Sequence, residues 1–135
     1  MQTDLGNRYL NNNIQTATPE ALVSMLFDGA IKFLKQAGHE LDQGRHENAH
    51  RSIVRAQNIV SELALSLDKD KGRDISKNLS EIYRYINERL IQANLKKDGQ
   101  TVGECIDLLS KLSSTWQEAA SRTRSTGKAG MDVAG

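Results

Sequence analysis

Three histidines are the residues whose types and spacing come closest to a reactive or metal-binding set. His46 and His50 are four residues apart, so a helix would place both imidazoles on one face, where they could share a metal ion. Helical metal sites of high affinity add inward carboxylates from other helices, as in a repeated Glu-x-x-His motif, and the sequence has no such repeat. With His39, the pair lies near Gly44, where a solvated helix start is expected. No bound metal is therefore predicted.

His50 also raises the question of phosphoryl transfer, because phosphotransfer bundles carry an exposed histidine on a long helix. The surrounding run Ala-His-Arg-Ser-Ile suits that role only superficially, since His50 begins its predicted helix and has no lysine and glycine beside it. A histidine phosphotransfer-type signalling bundle is the alternative function, and it would be recognised by phosphate incorporation on His50.

The remaining candidates lack the partners that catalysis needs. Cys105 falls on the apolar stripe of a predicted helix, where a cysteine usually behaves as a small hydrophobic residue. Ser110, Ser113 and Ser114 have no histidine and carboxylate at a spacing that suggests a triad. The run DKDKG at 68–72 shares only its charge with a calcium loop. We therefore expect no enzymatic activity, no cofactor and no small-molecule substrate.

Composition narrows the classes of partner. The 135 residues correspond to one domain, and 18 Lys and Arg against 17 Asp and Glu leave no electrostatic footprint for nucleic acid or an anionic membrane. The single cysteine cannot form an internal disulfide, and no apolar run approaches the roughly 18 residues of a membrane span. The N-terminus MQTDLGNRYLNNN has no signal-peptide character. The sequence predicts a cytoplasmic protein without stable membrane insertion.

The hydrophobic pattern predicts helices throughout. Only one proline occurs, and apolar residues recur at intervals of three and four. Thr18, Pro19 and Glu20 form a helix start, and this first helix should run to about Gln43. It carries Gly29 in its middle, at a cost of about 1 kcal/mol relative to alanine, which indicates close approach by a neighbour.

Three further helices follow from the same spacing. Their predicted apolar stripes are Ala49, Ile53, Ala56, Val60, Leu63 and Leu67; Ile75, Leu79, Ile82, Ile86, Leu90 and Ala93; and Val102, Cys105, Leu109, Leu112, Trp116 and Ala119. The third helix should end near Lys97, and the fourth should open at Gln100 or Thr101. Short connections predict an all-α, antiparallel up-down four-helix bundle over 18–121. An N-terminal arm, 1–17, is expected to be partly ordered or a short extra helix, and a disordered C-terminal tail is expected over 122–135.

Some helices carry more apolar residues than one core stripe needs. On the first helix, Val23, Phe27, Ile31 and Leu34 form a second row, and Tyr83 and Tyr85 flank the stripe of the third helix. This surplus is compatible with a wide core face or with a groove that accepts an apolar partner segment.

Several separate motifs in order resemble the flagellar secretion chaperone family FliS. They are the run TATPEALVSMLFDGAI at 16–31, AQNIVSEL at 56–63, SLD at 66–68, Lys71-Gly72, NLSEIYRY at 78–85, RLIQANL at 89–95, and Trp116. The resemblance covers roughly residues 8–120. Phe27 stands where the family often has tyrosine.

The resemblance implies a cytoplasmic, ATP-independent export chaperone. Such a protein would bind the C-terminal segment of flagellin, prevent premature polymerisation, and aid delivery to a component of the flagellar type III export gate. From the family's N-terminal tyrosine segment, Tyr9 and Leu10, with Ile14, are expected to pack into an apolar groove and to move when flagellin binds. The other candidate client-binding residues are Phe27, Ile31, Ile82, Tyr83, Ile86 and Leu90, each of which could instead belong to the core.

Overall fold

The computed structural model describes residues 18–67 and 73–134, and it describes side chains for 18–67 and 76–122. These ranges form four α-helices: α1 (Pro19–Asp42), α2 (His46–Leu65), α3 (Arg73–Lys96) and α4 (Gly99–Ala134). The predicted N-terminal arm, including any short extra helix in it, lies outside the described residues.

The first helix begins and ends by the local chemistry that its sequence predicts. Thr18 is extended, and its hydroxyl accepts a hydrogen bond from the amide of Ala21 at 3.1 Å, while Pro19 occupies the first turn. At the other end, Gly44 has φ of 74°, and the Arg45 amide donates to the Glu40 carbonyl at 2.8 Å. This left-handed glycine closes α1 in a Schellman-type turn.

α3 ends at Lys96, close to the predicted Lys97, and Lys97 and Asp98 form the corner to α4. Lys97 adopts a φ of 53°, and the Asp98 amide donates to the Ala93 carbonyl at 2.9 Å, which ends α3 without a glycine. The Asp98 carboxylate accepts from the Gln100 and Thr101 amides at 3.0 and 3.3 Å. Asp98 is thus the N-cap of α4, so α4 starts at Gly99, before the predicted position.

The four helices form an antiparallel ring. α1 packs against α2 and α4, and α3 packs against the same two helices. The antiparallel direction of α1 and α4 is visible at two places. A Cβ atom built on Gly99, at the start of α4, would lie 4.0 Å from Leu41 near the end of α1, and the Trp116 indole, later in α4, donates to the Glu20 carbonyl at the start of α1 at 3.2 Å. The predicted all-α, up-down four-helix bundle is confirmed.

The core consists largely of the predicted stripes, with one shift on α3. There, Tyr83 is buried and Ile82 is 36% exposed, so the stripe passes through Tyr83. Tyr83 reaches across the bundle to Phe27, with ring centroids 6.4 Å apart. The buried apolar side chains are Leu26, Phe27, Ala30, Leu34, Ala37, Ala49, Ile53, Ala56, Val60, Leu63, Tyr83, Ile86, Leu90, Ala93, Val102, Cys105 and Leu109.

The last helix is longer than the sequence pattern indicates. α4 continues to Ala134, so the backbone of 122–134 is helical, where a disordered tail was expected. No proline follows Pro19, and extending a formed helix adds one hydrogen bond for each residue fixed, which offsets part of the cost of Gly127 and Gly130.

Among the glycines for which side-chain surroundings are described, Gly29 has the closest neighbour, which lies on α2. A Cβ atom built on Gly29 would lie 3.3 Å from the Cδ1 atom of Ile59, whereas one on Gly38 would meet nothing within 4 Å. A neighbouring helix therefore approaches the glycine that the sequence marks as a weak point.

We expect Gly29→Leu to lower the free energy of unfolding by about 1–3 kcal/mol, because the added carbons would overpack the α1–α2 contact. Gly38→Ala is the matched control in the same helix, and it should stabilise the protein by about 0.5–1 kcal/mol through helix propensity. Urea denaturation followed by circular dichroism measures both changes. A Gly29→Leu protein as stable as the wild type would show that α1 and α2 do not need this close approach.

Candidate binding surface

An apolar groove runs between α3 and α4 on the outside of the bundle. Ile82 and Tyr85 form the α3 wall, Leu108 and Leu112 form the α4 wall, and the groove encloses about 630 Å³. The residues of each wall are three or four apart, so they lie on one face of their helix. Each wall lies beside the core stripe, which leaves its side chains between the interior and solvent.

The rim of this groove is polar and carries charges of both signs. Glu81 and Asn78 border it on α3, and Lys111 and Thr115 border it on α4. An apolar floor with a polar border is typical of surfaces that bind another protein segment. Tyr85, whose residue surface is 51% exposed, is more accessible than Ile82, the other exposed large hydrophobic residue of the groove.

An ion pair joins the two helices one turn beyond the groove. The Arg89 guanidinium donates to the Glu104 carboxylate at 3.1 Å, and this hydrogen bond raises the pKa of Arg89 above its ordinary value. Arg89 follows Tyr85 by one turn and Glu104 precedes Leu108 by one turn, so the pair sits at one end of the apolar floor. The pair is solvent-exposed, and such pairs contribute little to stability.

The sequence-predicted client-binding residues fall into four groups in the structure. Ile82 lies in the groove, and Ile31 is partly buried and lines a separate, mostly charged depression on α1. Tyr9, Leu10 and Ile14 lie outside the described residues. The remaining four are core residues that are at most 4% exposed: Phe27, Tyr83, Ile86 and Leu90.

Sequence reasoning missed two residues of the groove and described a third only as a neighbour of the core. Leu108 was in no predicted stripe, and Leu112 was assigned to the core stripe of α4. The spacing predicts Tyr85 only as a neighbour of the α3 stripe. The spacing of four between Leu108 and Leu112 was the available signal, because it places a second apolar row beside Leu109.

The histidines do not assemble a metal site in the ranges that the structure describes. No group of three or more histidine, cysteine, aspartate or glutamate residues there could hold a metal ion. His50 instead links α2 to α3, because the Asn94 side-chain amide lies 2.8 Å from its Nδ1 atom. Lys97 donates to the Asn94 carbonyl oxygen at 2.9 Å, which orients that amide so that Nδ1 is the acceptor.

Cys105 is a buried interior residue of α4. Its side chain lies 4.0 Å from the Ile86 carbonyl of α3, and burial raises the pKa of its thiol to about 11. Burial likewise raises the pKa of the Tyr83 hydroxyl to about 12. Both groups therefore stay neutral in the folded protein, as the sequence prediction of a hydrophobic role for Cys105 requires.

A comparison of sequences decides the family. The family model described as "Flagellar protein FliS" matches residues 1–123. The chain belongs to the FliS family. It is 40% identical to the flagellar secretion chaperone FliS of Salmonella typhimurium over 78% of either chain, and 30% identical to that of Bacillus subtilis over 86% of either chain.

The fold of this FliS family member also has a solved counterpart. A crystal structure of a bacterial flagellar chaperone superposes with a TM-score of 0.73, covering 90% of this chain and 99% of the other at 17% identity. That likeness shows the shared helical-bundle fold. Within the described residues, none of the helices combines the length and the apolar character needed to cross a membrane.

We expect Cys105 to make the protein less stable in alkali. The ordinary thiol pKa is 9.0 and the folded value is about 11, so the unfolded chain loses its proton first as the pH rises. The stabilisation that the neutral, buried thiol provides is fully present below pH 9.0 and is lost as the pH rises from 9.0 to about 11. Cys105→Ala should flatten the fall in melting temperature over this range. An unchanged pH profile would contradict the assigned environment of the thiol.

Proposed function

We propose that this FliS family member is a cytoplasmic export chaperone that binds the C-terminal segment of newly made flagellin. By covering that segment it prevents premature polymerisation, and it aids delivery of the subunit to a component of the flagellar type III export gate. Two observations support the proposal: membership of a family of flagellar secretion chaperones, and the α3–α4 groove of Ile82, Tyr85, Leu108 and Leu112.

The groove is the single observation that carries the client-binding part. Ile82 and Tyr85 remain exposed although the bundle already has a continuous core, so folding alone does not account for their apolar surface. A partner that covers them with its own apolar face removes this surface from water, which favours binding by about 25 cal/mol for each Å² of apolar area.

The surface also restricts the form of the partner. Helices satisfy their own backbone hydrogen bonds, so α3 and α4 offer no free strand edge to an extended peptide. An amphipathic client segment therefore suits the groove best as a helix, with apolar residues three and four positions apart. Ordering a client that is disordered when free consumes part of the interaction energy, so extensive contact can coexist with release at the export gate.

We expect Tyr85→Ser to weaken binding of a flagellin C-terminal peptide by about tenfold or more, because an aromatic anchor is lost from the groove. The melting temperature should change little, since Tyr85 is half exposed. Leu95→Ser is the matched control: Leu95 lies on the same helix, is 75% exposed, and does not line the groove. Titration calorimetry measures both affinities.

Two results of that experiment would contradict the proposal in different ways. If Leu95→Ser weakened binding as much as Tyr85→Ser, the α3–α4 groove would not be the client site. If flagellin without its C-terminal segment bound as tightly as intact flagellin, the client segment would be wrongly assigned.

We further propose that Tyr9, Leu10 and Ile14 of the N-terminal arm pack into an apolar groove of the free protein and move when flagellin binds. Deleting residues 1–15 should change flagellin affinity and increase the accessibility of the groove to a hydrophobic dye. The deletion variant is compared with the full chain after their circular dichroism spectra are shown to match, which controls for folding. Unchanged affinity together with unchanged dye binding would remove this role for the arm.

A further inference from the structure

The third helix is attached to the bundle less firmly than the other helices. α1 packs extensively against α2 and α4, whereas α3 packs less extensively against these same two helices. Of the five large hydrophobic residues that are exposed among the described residues, all but Leu65 lie on α3; those four are Ile82, Tyr85, Ile91 and Leu95. A smaller share of the apolar surface of α3 is therefore held in the interior.

Three polar contacts that join α3 to its neighbours are exposed to solvent, and the weak contact of the Cys105 thiol with the Ile86 carbonyl is buried. Asn94 contacts His50 at 2.8 Å, Asn87 contacts Ser61 on α2 at 3.2 Å, and Arg89 pairs with Glu104 on α4 at 3.1 Å. Water can replace exposed contacts of this kind at small cost, so they hold α3 weakly.

The contact between α1 and α2 is of a different kind. Ser52 is buried on α2 and donates to the Glu40 carboxylate on α1 at 2.6 Å, and Ile59 approaches Gly29 closely. The Trp116 indole also joins α4 to the start of α1, through a hydrogen bond that is exposed to solvent. Separating α1 from α2 would expose the buried Ser52 hydroxyl as well as core residues.

The corner after α3 is suited to act as a hinge. Lys97 holds a φ of 53°, a left-handed conformation that an L-residue other than glycine rarely adopts. The Asp98 carboxylate caps α4 through the Gln100 and Thr101 amides, and these bonds lie wholly on the α4 side of the corner. A rotation at Lys97 would break the bond from the Asp98 amide to the Ala93 carbonyl, but it can move α3 and leave the cap of α4 intact.

We propose that α3 swings away from α2 and α4 about Lys97 as one unit, while α1, α2 and α4 stay packed together. This motion uncovers the inner face of α3 with Tyr83, Ile86 and Leu90, and it exposes Cys105 on α4, which lies beneath the Ile86 carbonyl. The opened state offers a client helix a larger apolar surface than the groove alone. This use of the opened state rests on the proposed client-binding function, whereas the opening itself does not.

The native thiol of Cys105 reports this motion without any added probe. In the free protein, we measure its alkylation by iodoacetamide at pH 8 and at increasing, sub-denaturing urea concentrations. The matched control is Ser52→Cys in a Cys105→Ala background, which places the thiol in the buried α1–α2 contact. If α3 opens alone, Cys105 should react at least about 100-fold faster than the control thiol, because partial openings need less free energy than global unfolding.

The urea dependence separates opening of a whole helix from smaller fluctuations. Opening of α3 exposes part of the buried surface, so the Cys105 rate should rise with urea less steeply than that of the control but clearly above zero. Equal rates and equal slopes would overturn the proposal, because α3 would then open only when the whole bundle unfolds. A fast reaction with no urea dependence would also overturn it, since only a side-chain fluctuation would be exposing the thiol.

Amide hydrogen exchange on the unmodified protein gives a second reading that needs no variant. Amides of α3 over 79–96 should share an opening free energy below that of amides in α1 over 26–40. Uniform protection of both helices would overturn the proposal. Since flagellin is absent from these measurements, their failure would leave the client-binding proposal standing, and failure of client binding would leave the motion of α3 standing.

Discussion

Burial of the inner face of α1 is the interaction on which the rest of this bundle depends. Leu26, Phe27, Ala30, Leu34 and Ala37 are removed from solvent by contact with the neighbouring helices, and α1 has the most extensive packing in the ring. The small residues on this face allow the helix axes to come close, and Gly29 allows it further against Ile59. With α1 fixed, α2 and α4 are placed on either side of it, and α3 completes the ring opposite.

This arrangement explains why the apolar groove occurs between α3 and α4. Both helices have an apolar row beside the core row, and the ring is already closed by α1, α2 and α4 together with the core row of α3. The outer rows, with Ile82, Tyr85, Leu108 and Leu112, find no fifth helix in the described part of the chain. Under the proposed function, a client segment supplies the missing helix for a limited time.

Several polar residues, including two that suggested chemistry in the sequence, serve packing and connection in the described structure. His50 joins α2 to α3 through Asn94, Cys105 fills the interior of α4, and Asp98 caps that helix. Hydrogen bonds from Thr101 lower the pKa of the Asp98 carboxyl, so its cap is present above acidic pH and is lost as the pH falls through the lowered value. Such contacts stabilise helix ends and the packing between helices.

The sequence by itself determined the elements: Thr18 and Pro19 start α1, Gly44 ends it, and the spacing of three and four predicts four helices in a bundle. These features follow from local hydrogen bonding and helical periodicity, which depend only on residues close together in the sequence. The tertiary structure alone decided which apolar row of α3 is inside. Ile82 and Tyr83 both fit a spacing of three and four with Leu79 and Ile86, and only the orientation of α3 against α2 and α4 buries Tyr83 and leaves Ile82 in the groove. That orientation depends on side chains far apart in the chain, so no local pattern contains it.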